Sequence, residues 1–251
     1  MRVAFLTDVH GNLPALEAVL ADARDQGVDA VWDGGDTVGY HPWPDQCVRL
    51  LHAACEITVQ GNYDRKVLKT PRRRQRWRRR KDPVKAEALI WAWDELSSAS
   101  RDLLAGRPAQ VRRAAPCGEV LVCHASPLSR KEPLGPLTRP ARWRALVAAA
   151  GAPTLVVHGH VHGEHAHREG PTLFLTPGSV GRSEDGDPRA AYLVLDLDGR
   201  RPRPTIRRVA YDTQRVADEV AARALPPEFG VMVLRGISLA RARRLLRRPG
   251  R

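Results

Sequence analysis

The amino-acid sequence predicts an α/β fold. Three features of its 251 residues support this prediction: apolar runs of strand length, amphipathic segments between several of them, and glycines soon after the runs. Hydrophobic residues make up 43% of the chain and charged residues 27%, which is the balance of a folded globular protein. An alternation of strand, helix and strand favours parallel strands joined by crossover helices.

The first part of the chain carries the clearest alternation. Residues 2–6 form an apolar run typical of a buried strand, and an amphipathic helix follows with Pro14 in its first turn. Residues 30–32 and 57–59 predict the second and third strands, with a short helix near 45–53 between them. Each strand is followed within a few residues by a glycine, as expected where the chain turns.

The remainder of the chain predicts shorter strands and tighter turns. Apolar or alternating runs predict strands at 120–123, 155–157, 173–175, 191–197 and 205–209. Amphipathic runs predict helices at about 84–97, 141–150, 215–224 and 238–247. The pair Asp198-Gly199 predicts a hairpin turn. We expect one domain over 1–251, with a basic insertion at about 71–81 and a C-terminal helical extension at about 212–251.

The chain is strongly basic. Its 41 Lys and Arg residues against 28 Asp and Glu residues give a net charge of +13, which favours binding to anions such as phosphoesters or nucleic acid. The arginine-rich run at 72–80 has two interpretations. It is either an anion clamp whose Trp77 stacks on a base, or a solvated loop or helix face, and we favour the second. The run at 241–248 predicts an exposed helix face.

Membrane and secretion signals are missing from the sequence pattern. No apolar stretch reaches the ~18 residues of a membrane span, and the N-terminal residues lack a signal-peptide pattern. The four cysteines form no C-x-x-C pair, which favours free thiols. We therefore expect a cytoplasmic protein without membrane contact. Trp91 and Trp93 cannot both face inward on one helix, which favours an interface in a homo-oligomer.

Polar residues suited to metal binding follow five of the predicted strands. They are Asp8, His10, Asp36, Asn62, His124, His160 and His162. Because sites in α/β sheets form beyond the carboxyl ends of strands, these side chains can meet in one crevice. Carboxylate, imidazole and amide groups suit divalent ions such as Mn²⁺, Fe²⁺ and Zn²⁺. Seven ligands are explained better by two ions than by one.

These residues also occur in a recognisable order. The motifs are Asp8-Val9-His10, Gly35-Asp36, Gly61-Asn62-Tyr63-Asp64, His124, Gly159-His160-Val161-His162 and Pro177-Gly178-Ser179-Val180-Gly181. In this order and spacing, from residue 3 to about 181, the chain resembles the calcineurin-like metallophosphoesterases, including their small bacterial phosphodiesterase-like members.

The resemblance implies a four-layer α-β-β-α sandwich and two divalent metal ions, manganese first, with iron, zinc or nickel as alternatives. It implies that Asp8, His10 and His162 hold one ion, that Asn62, His124 and His160 hold the other, and that Asp36 bridges them. A hydroxide between the ions would attack phosphorus in line. The implied catalytic residues are Asp36, Asn62, His124, Tyr63 and Asp64, and the implied substrate contacts are Asn62, Tyr63 and His124.

Tyr63 departs from the family pattern, in which many members carry histidine at this position. A phenol with an ordinary pKa near 10 is a weak acid at neutral pH, so we expect slower turnover of esters with basic leaving groups. For Asp64 two roles stay open: orienting a ligand such as His124 from behind, or capping the following helix.

The sequence thus predicts a hydrolase of phosphodiesters or phosphomonoesters. Two alternatives remain. One is a nucleic-acid-binding or regulatory protein with the same fold and little turnover, favoured by the net charge. The other is a phosphoprotein phosphatase, which would use the same site.

Overall fold

The computed structural model describes residues 1–247, and this part of the chain contains ten strands and ten helices. The strands are β1 (Arg2–Leu6), β2 (Ala30–Asp33), β3 (Ile57–Thr58), β4 (Gln110–Ala115), β5 (Gly118–Cys123), β6 (Leu155–Val157), β7 (Glu164–Glu169), β8 (Thr172–Pro177), β9 (Ala190–Asp196) and β10 (Arg203–Val209). The helices are α1 (Leu13–Asp25), α2 (Pro44–Ala54), α3 (Asn62–Val67), α4 (Thr70–Arg80), α5 (Pro83–Glu95), α6 (Ser98–Gly106), α7 (Pro140–Ala149), α8 (Thr213–Ala222), α9 (Pro227–Arg235) and α10 (Leu239–Leu246).

The strands form two five-stranded sheets. The first has the order β10-β9-β1-β2-β3, and the second has the order β4-β5-β6-β8-β7. In the first sheet β1 is parallel to β2 and β2 to β3, whereas β9 is antiparallel to β1. In the second sheet β5, β6 and β8 are parallel, and β4 and β7 are antiparallel edge strands. Within each sheet the carboxyl ends of the parallel strands therefore lie at one edge.

Apolar side chains from both sheets form the central core. Phe5 and Trp32 of the first sheet belong to the same buried cluster as Val122 and Val157 of the second. The outer face of the first sheet is covered by α1 and α2, and the outer face of the second is covered by α7 through Trp143. The layers are therefore helix, sheet, sheet and helix, and the predicted sandwich is confirmed.

Six elements lie outside the segments predicted as individual strands or helices: β4, β7, α3, α4, α6 and α9. The edge strands β4 and β7 are mostly exposed and carry the polar sequences QVRRAA and EHAHRE, so neither shows an apolar period. Helices α6 and α9 are short and were also missed. The predicted hairpin is confirmed, because β9 and β10 pair antiparallel across the connection 197–202, which contains Asp198-Gly199 and is longer than a two-residue turn.

The basic segment folds as helix α4 rather than as a loop. Of its arginines, Arg74 pairs with Asp94 on α5. Arg248, the end of the second arginine run, lies outside the described residues, as do the last residues of the predicted C-terminal extension. None of the helices within 1–247 combines the length and the apolar character that crossing a bilayer requires.

Trp91 and Trp93 pack into different apolar clusters on the two sides of α5. The guanidinium of Arg223 lies 5.5 Å from the centre of the Trp91 ring, and that of Arg101 lies 4.0 Å from the Trp93 ring. Both indoles are half-buried within the chain. Neither tryptophan therefore supports an interface in a homo-oligomer, and the oligomeric state stays a prediction.

Candidate metal centre

The candidate ligands lie on short loops with unusual backbone geometry. Asp8 has a φ of 57°, His10 of 51°, Asp36 of 55° and His160 of 69°. Residues other than glycine seldom adopt this left-handed conformation, and such strain is concentrated at functional sites. The loops are held by backbone hydrogen bonds, including those from Asp8 to Gly35 and from His10 to Asp36.

The first group of side chains contains Asp8, His10 and His162, all largely buried. The Nε2 atoms of His10 and His162 are 3.3 Å apart, and Oδ1 of Asp8 lies 3.3 Å from Nε2 of His162. This Oδ1 atom is buried and makes no hydrogen bond of correct geometry to any residue of the described chain. Three potential electron-pair donors that converge, one of them a buried carboxylate oxygen without a hydrogen bond, fit a cation.

The second group contains Asp36, His124 and His160. Oδ2 of Asp36 lies 3.4 Å from Nε2 of His124 and 3.9 Å from Nε2 of His10. Asp36 therefore stands between the two groups, where a bridging carboxylate is expected. Each group brings its ligand atoms within 4.8 Å of one another, so the structure brings the predicted side chains together in one place.

Backbone carbonyls orient three of the imidazoles. Nδ1 of His124 lies 2.9 Å from the carbonyl of Gly34, Nδ1 of His162 lies 2.8 Å from that of Arg182, and Nδ1 of His10 lies 3.4 Å from that of Val38. A carbonyl accepts only from an N–H, so these partners assign a proton to Nδ1 of each ring and turn its Nε2 toward the centre. This is the arrangement of ligand histidines in metal sites.

Asn62 lies among the same side chains, but its amide nitrogen rather than its amide oxygen faces them. Its Nδ2 lies 2.9 Å from Oδ2 of Asp36, whereas its Oδ1 accepts a hydrogen bond of 2.7 Å from Nζ of Lys66. Oxygen, not nitrogen, is the metal-binding atom of a neutral amide. Coordination by Asn62 therefore requires a rotation of the amide and a new position for the Lys66 ammonium.

Buried charge shifts the pKa values in the centre. Burial alone would raise the pKa of Asp36 and lower that of His124, but each favours the charged form of the other. As a result the pKa of Asp36 falls and that of His124 rises to about 10. Burial lowers the pKa of His10 and of His160. His10 and His160 are thus held neutral, as ligands of a cation must be, whereas His124 is charged beside Asp36 and a bound cation would have to displace its Nε2 proton.

Asp64 caps helix α3 and also fixes the Asp36 loop. Its Oδ2 accepts hydrogen bonds from the backbone of Gly61 at 2.9 Å and of Asp36 at 3.0 Å, and its Oδ1 accepts one from Val38 at 3.2 Å. Burial, and then the charge of Asp36, raise the pKa of Asp64 to about 6. Of the two predicted roles, Asp64 fulfils the capping role. In the orienting role it binds the backbone of the candidate ligand Asp36 rather than the side chain of His124.

Tyr63 lies at the edge of the first group. Its ring meets the ring of His10 edge to face at 5.3 Å, and its hydroxyl is 2.5 Å from that of Tyr40. The guanidinium of Arg182 stacks over Tyr40 at 4.1 Å and pairs with Glu184 at 2.8 Å. Tyr40 and Arg182 were missed by sequence reasoning, although Arg182 directly follows the glycine-containing motif at 177–181.

The other histidines lie apart from the ligand set. His158 and His41 are fully buried, and His165 and His167 lie on strand β7 beside Trp143, with the His167 ring stacked on it at 4.2 Å. His52 is exposed on α2. None of them belongs to the two groups of candidate ligands found in residues 1–247.

The chain is similar to known proteins in both sequence and fold. The family model of the calcineurin-like phosphoesterase superfamily domain matches residues 1–200. An uncharacterized protein of Methanocaldococcus jannaschii is 26% identical over 260 residues, covering 93% of this chain and 98% of that protein.

Two solved structures share the fold over most of their length. The metallophosphoesterase from Sphaerobacter thermophilus is 27% identical with a TM-score of 0.79, covering 94% of this chain and 99% of that one. A hypothetical protein from Pyrococcus horikoshii is 18% identical with a TM-score of 0.83, covering 94% and 98%. The family match over residues 1–200 shows that the chain belongs to the calcineurin-like phosphoesterase superfamily, and the two groups of ligand-type side chains agree with it.

Proposed function

We propose that this protein is a dinuclear, metal-dependent hydrolase of phosphodiesters or phosphomonoesters. The observation that carries the proposal is the position of Asp36 between two groups of converging ligand atoms, with carboxylate oxygen 3.4 Å from His124 and 3.9 Å from His10. A cation pair bound there would supply an activated water and neutralise the charge of the phosphoryl oxygens. Manganese is the proposed ion, and iron, zinc and nickel suit the same donor set.

The chain's own residues have separate proposed roles. Asp8, His10 and His162 hold one cation, His124, His160 and Asn62 hold the other, and Asp36 joins them. Asn62 and His124 also face the substrate phosphate. The proposed role of Tyr63 is to donate to a phosphoryl oxygen or leaving group, which is supported by the contact of its ring with that of His10 at 5.3 Å. Asp64 holds Asp36 in place by accepting a hydrogen bond from the backbone N–H of Asp36, and it does not contact the substrate.

Two further proposals concern the domain organisation of the chain and its cellular location. We propose that residues 1–251 form one domain, since the C-terminal helix α9 places Phe229 5.2 Å from Tyr40 beside the candidate centre. We also propose a cytoplasmic location, which suits the four cysteines, all free in the structure. A phosphoprotein phosphatase would use the same site, and a panel of phosphopeptides beside small esters distinguishes the two.

Hydrolysis of a chromogenic diester and a chromogenic monoester with Mn²⁺ tests the proposal. Asp36→Ala should reduce kcat by about a hundredfold or more and lower the bound metal, because a bridging carboxylate is removed. Asp25→Asn is the matched control, since Asp25 is exposed at the end of α1. Absence of wild-type hydrolysis with every divalent metal tested, combined with salt-sensitive DNA binding that survives in Asp36→Ala, would favour the binding protein with little turnover.

A further inference from the structure

We propose that a basic groove leading away from the candidate metal centre binds single-stranded nucleic acid and delivers its phosphodiesters to that centre. The basic groove is defined by Lys66, Lys69, Arg73, Arg76, Arg80 and Lys131. The binding part of the proposal stands on the groove alone. The delivery part rests on the proposed function.

The groove reaches Asn62, one of the candidate ligands of the metal centre. It consists of two adjoining cavities of about 310 and 400 Å³, both lined by Lys66, Lys69 and Lys131. Asn62 lines the first cavity, and Trp77 lines the second. A strand lying along the groove would therefore reach from Trp77 to a candidate ligand without leaving the cationic surface.

Helical spacing places the arginines on the groove side of α4. Arg73, Arg76 and Arg80 are three and four residues apart, which puts them on one face. Arg72, Arg78 and Arg79 are also exposed but do not line either cavity. The 11 residues of α4 span ~16 Å, which matches about five stacked nucleotides at 3.4 Å each.

The cations of the groove have no acidic partners. Within residues 1–247, none of the six defining side chains lies within 4.0 Å of a carboxylate, whereas Arg74 of the same helix is paired with Asp94. Six like charges along one groove repel one another, and a bound polyanion removes that repulsion. The groove is therefore complementary to a chain of phosphates.

Trp77 distinguishes nucleic acid from other polyanions. The indole is half-buried against the apolar cluster that contains Val67 and Leu89, so its position is fixed, and it lines the groove beside Arg76 and Arg80. Bases stack on such aromatic side chains in proteins that bind single strands. Neither inorganic polyphosphate nor an acidic peptide supplies a base for this surface.

Fluorescence anisotropy with a labelled oligothymidylate of about 12 nucleotides tests the binding step. The experiment uses the full chain in EDTA and a series of salt concentrations. The triple variant Arg73→Gln, Arg76→Gln, Arg80→Gln should bind about tenfold more weakly or worse, and its slope of log K against log salt should fall by about 2. The matched triple Arg72→Gln, Arg78→Gln, Arg79→Gln removes the same charge and should change binding less than about threefold.

An abasic strand of equal length isolates the stacking contribution. Wild type should bind it about fivefold more weakly than the oligothymidylate or worse, and Trp77→Leu should bring the two affinities close together. Equal loss of affinity in both arginine triples would overturn the proposal, as would equal binding of abasic and ordinary strands by wild type. Equal binding of the two strands would identify a site that binds a chain of phosphates, such as polyphosphate, without contacting bases.

Cleavage of the oligonucleotide with Mn²⁺ tests whether the groove delivers the strand to the metal centre. Hydrolysis of a small diester tests the metal centre alone. The groove triple should lose cleavage of the oligonucleotide but keep hydrolysis of a small chromogenic diester, which does not need the groove. Unchanged oligonucleotide cleavage in that variant overturns delivery. If wild type hydrolyses neither substrate, the proposed function fails, and the binding measurements still decide the groove.

Discussion

Arg107 forms a buried ion pair with Asp33, with Nη1 of the guanidinium 3.2 Å from Oδ2 of the carboxylate. The same Nη1 atom donates to the hydroxyl of Thr37 at 2.6 Å, and Oδ1 of Asp33 accepts from the backbone of Gly35 at 2.9 Å. The pair thus holds both ends of the loop that carries Asp36. Arg107 and Asp33 are 74 residues apart in the sequence, and neither belongs to the motifs described above.

Replacing Arg107 with Met should destabilise the protein by about 3–5 kcal/mol, because Asp33 then remains buried without a counter-charge. Urea unfolding at neutral pH measures this cost. In the double variant Arg107→Met, Asp33→Asn the cost should be clearly smaller than the sum of the two single variants. Additive costs would show that the two side chains act independently.

Gly61→Ala should displace the Asp36 loop. A methyl group at Gly61 would clash with the backbone nitrogen of Asp36, and both residues are held by hydrogen bonds to Asp64. We expect a loss of about 1–3 kcal/mol in unfolding free energy and weaker Mn²⁺ binding by calorimetry. Gly106→Ala is the control, since nothing lies within 4 Å of the added methyl group. Equal behaviour of the two variants would contradict the close packing.

His41 should make the protein sensitive to acid. Burial, and then the nearby Arg182 cation, lower its pKa from 6.5 to about 3, although the backbone of Gly181 opposes the shift. As pH falls below 6.5 the unfolded state takes up this proton first, so the unfolding free energy declines by up to ~1.4 kcal/mol per pH unit until about pH 3. His41→Gln should have a shallower decline between pH 7 and 4 in urea unfolding. The exposed His52→Gln should follow wild type, and a His41→Gln curve parallel to wild type would refute the assignment.

Tyr63→His should change the leaving-group preference of the proposed hydrolysis. Burial, and then the neighbouring Tyr40, raise the pKa of Tyr63 well above 10, so the phenol is a poor acid. An imidazole at this position should increase turnover of alkyl esters relative to aryl esters by about tenfold or more. Rates on paired alkyl and aryl diesters measure the ratio, with Tyr63→Phe as the control for ring packing. An unchanged ratio in Tyr63→His would exclude proton donation from this position.

Much of the site could be predicted from the sequence because its ligands follow strands. Asp8 and Asp36 follow apolar strands of the first sheet and His124 follows one of the second, and parallel strands within each sheet end at a common edge. The local pattern therefore determined the α/β class and the side chains that lie at those two edges, whereas packing of the two sheets brings the edges together. Their identities as carboxylate, amide and imidazole also determined the kind of cation that suits them.

The remaining features depend on contacts between segments far apart in the chain. Arg107 reaches Asp33, Arg182 covers Tyr40, and the edge strands β4 and β7 form although their own sequences are polar. Only the tertiary structure decided that three arginines of α4 face a groove continuous with Asn62 while their neighbours face away. Sequence periodicity fixes which residues share a helix face, but the direction of that face is set by packing against the rest of the molecule.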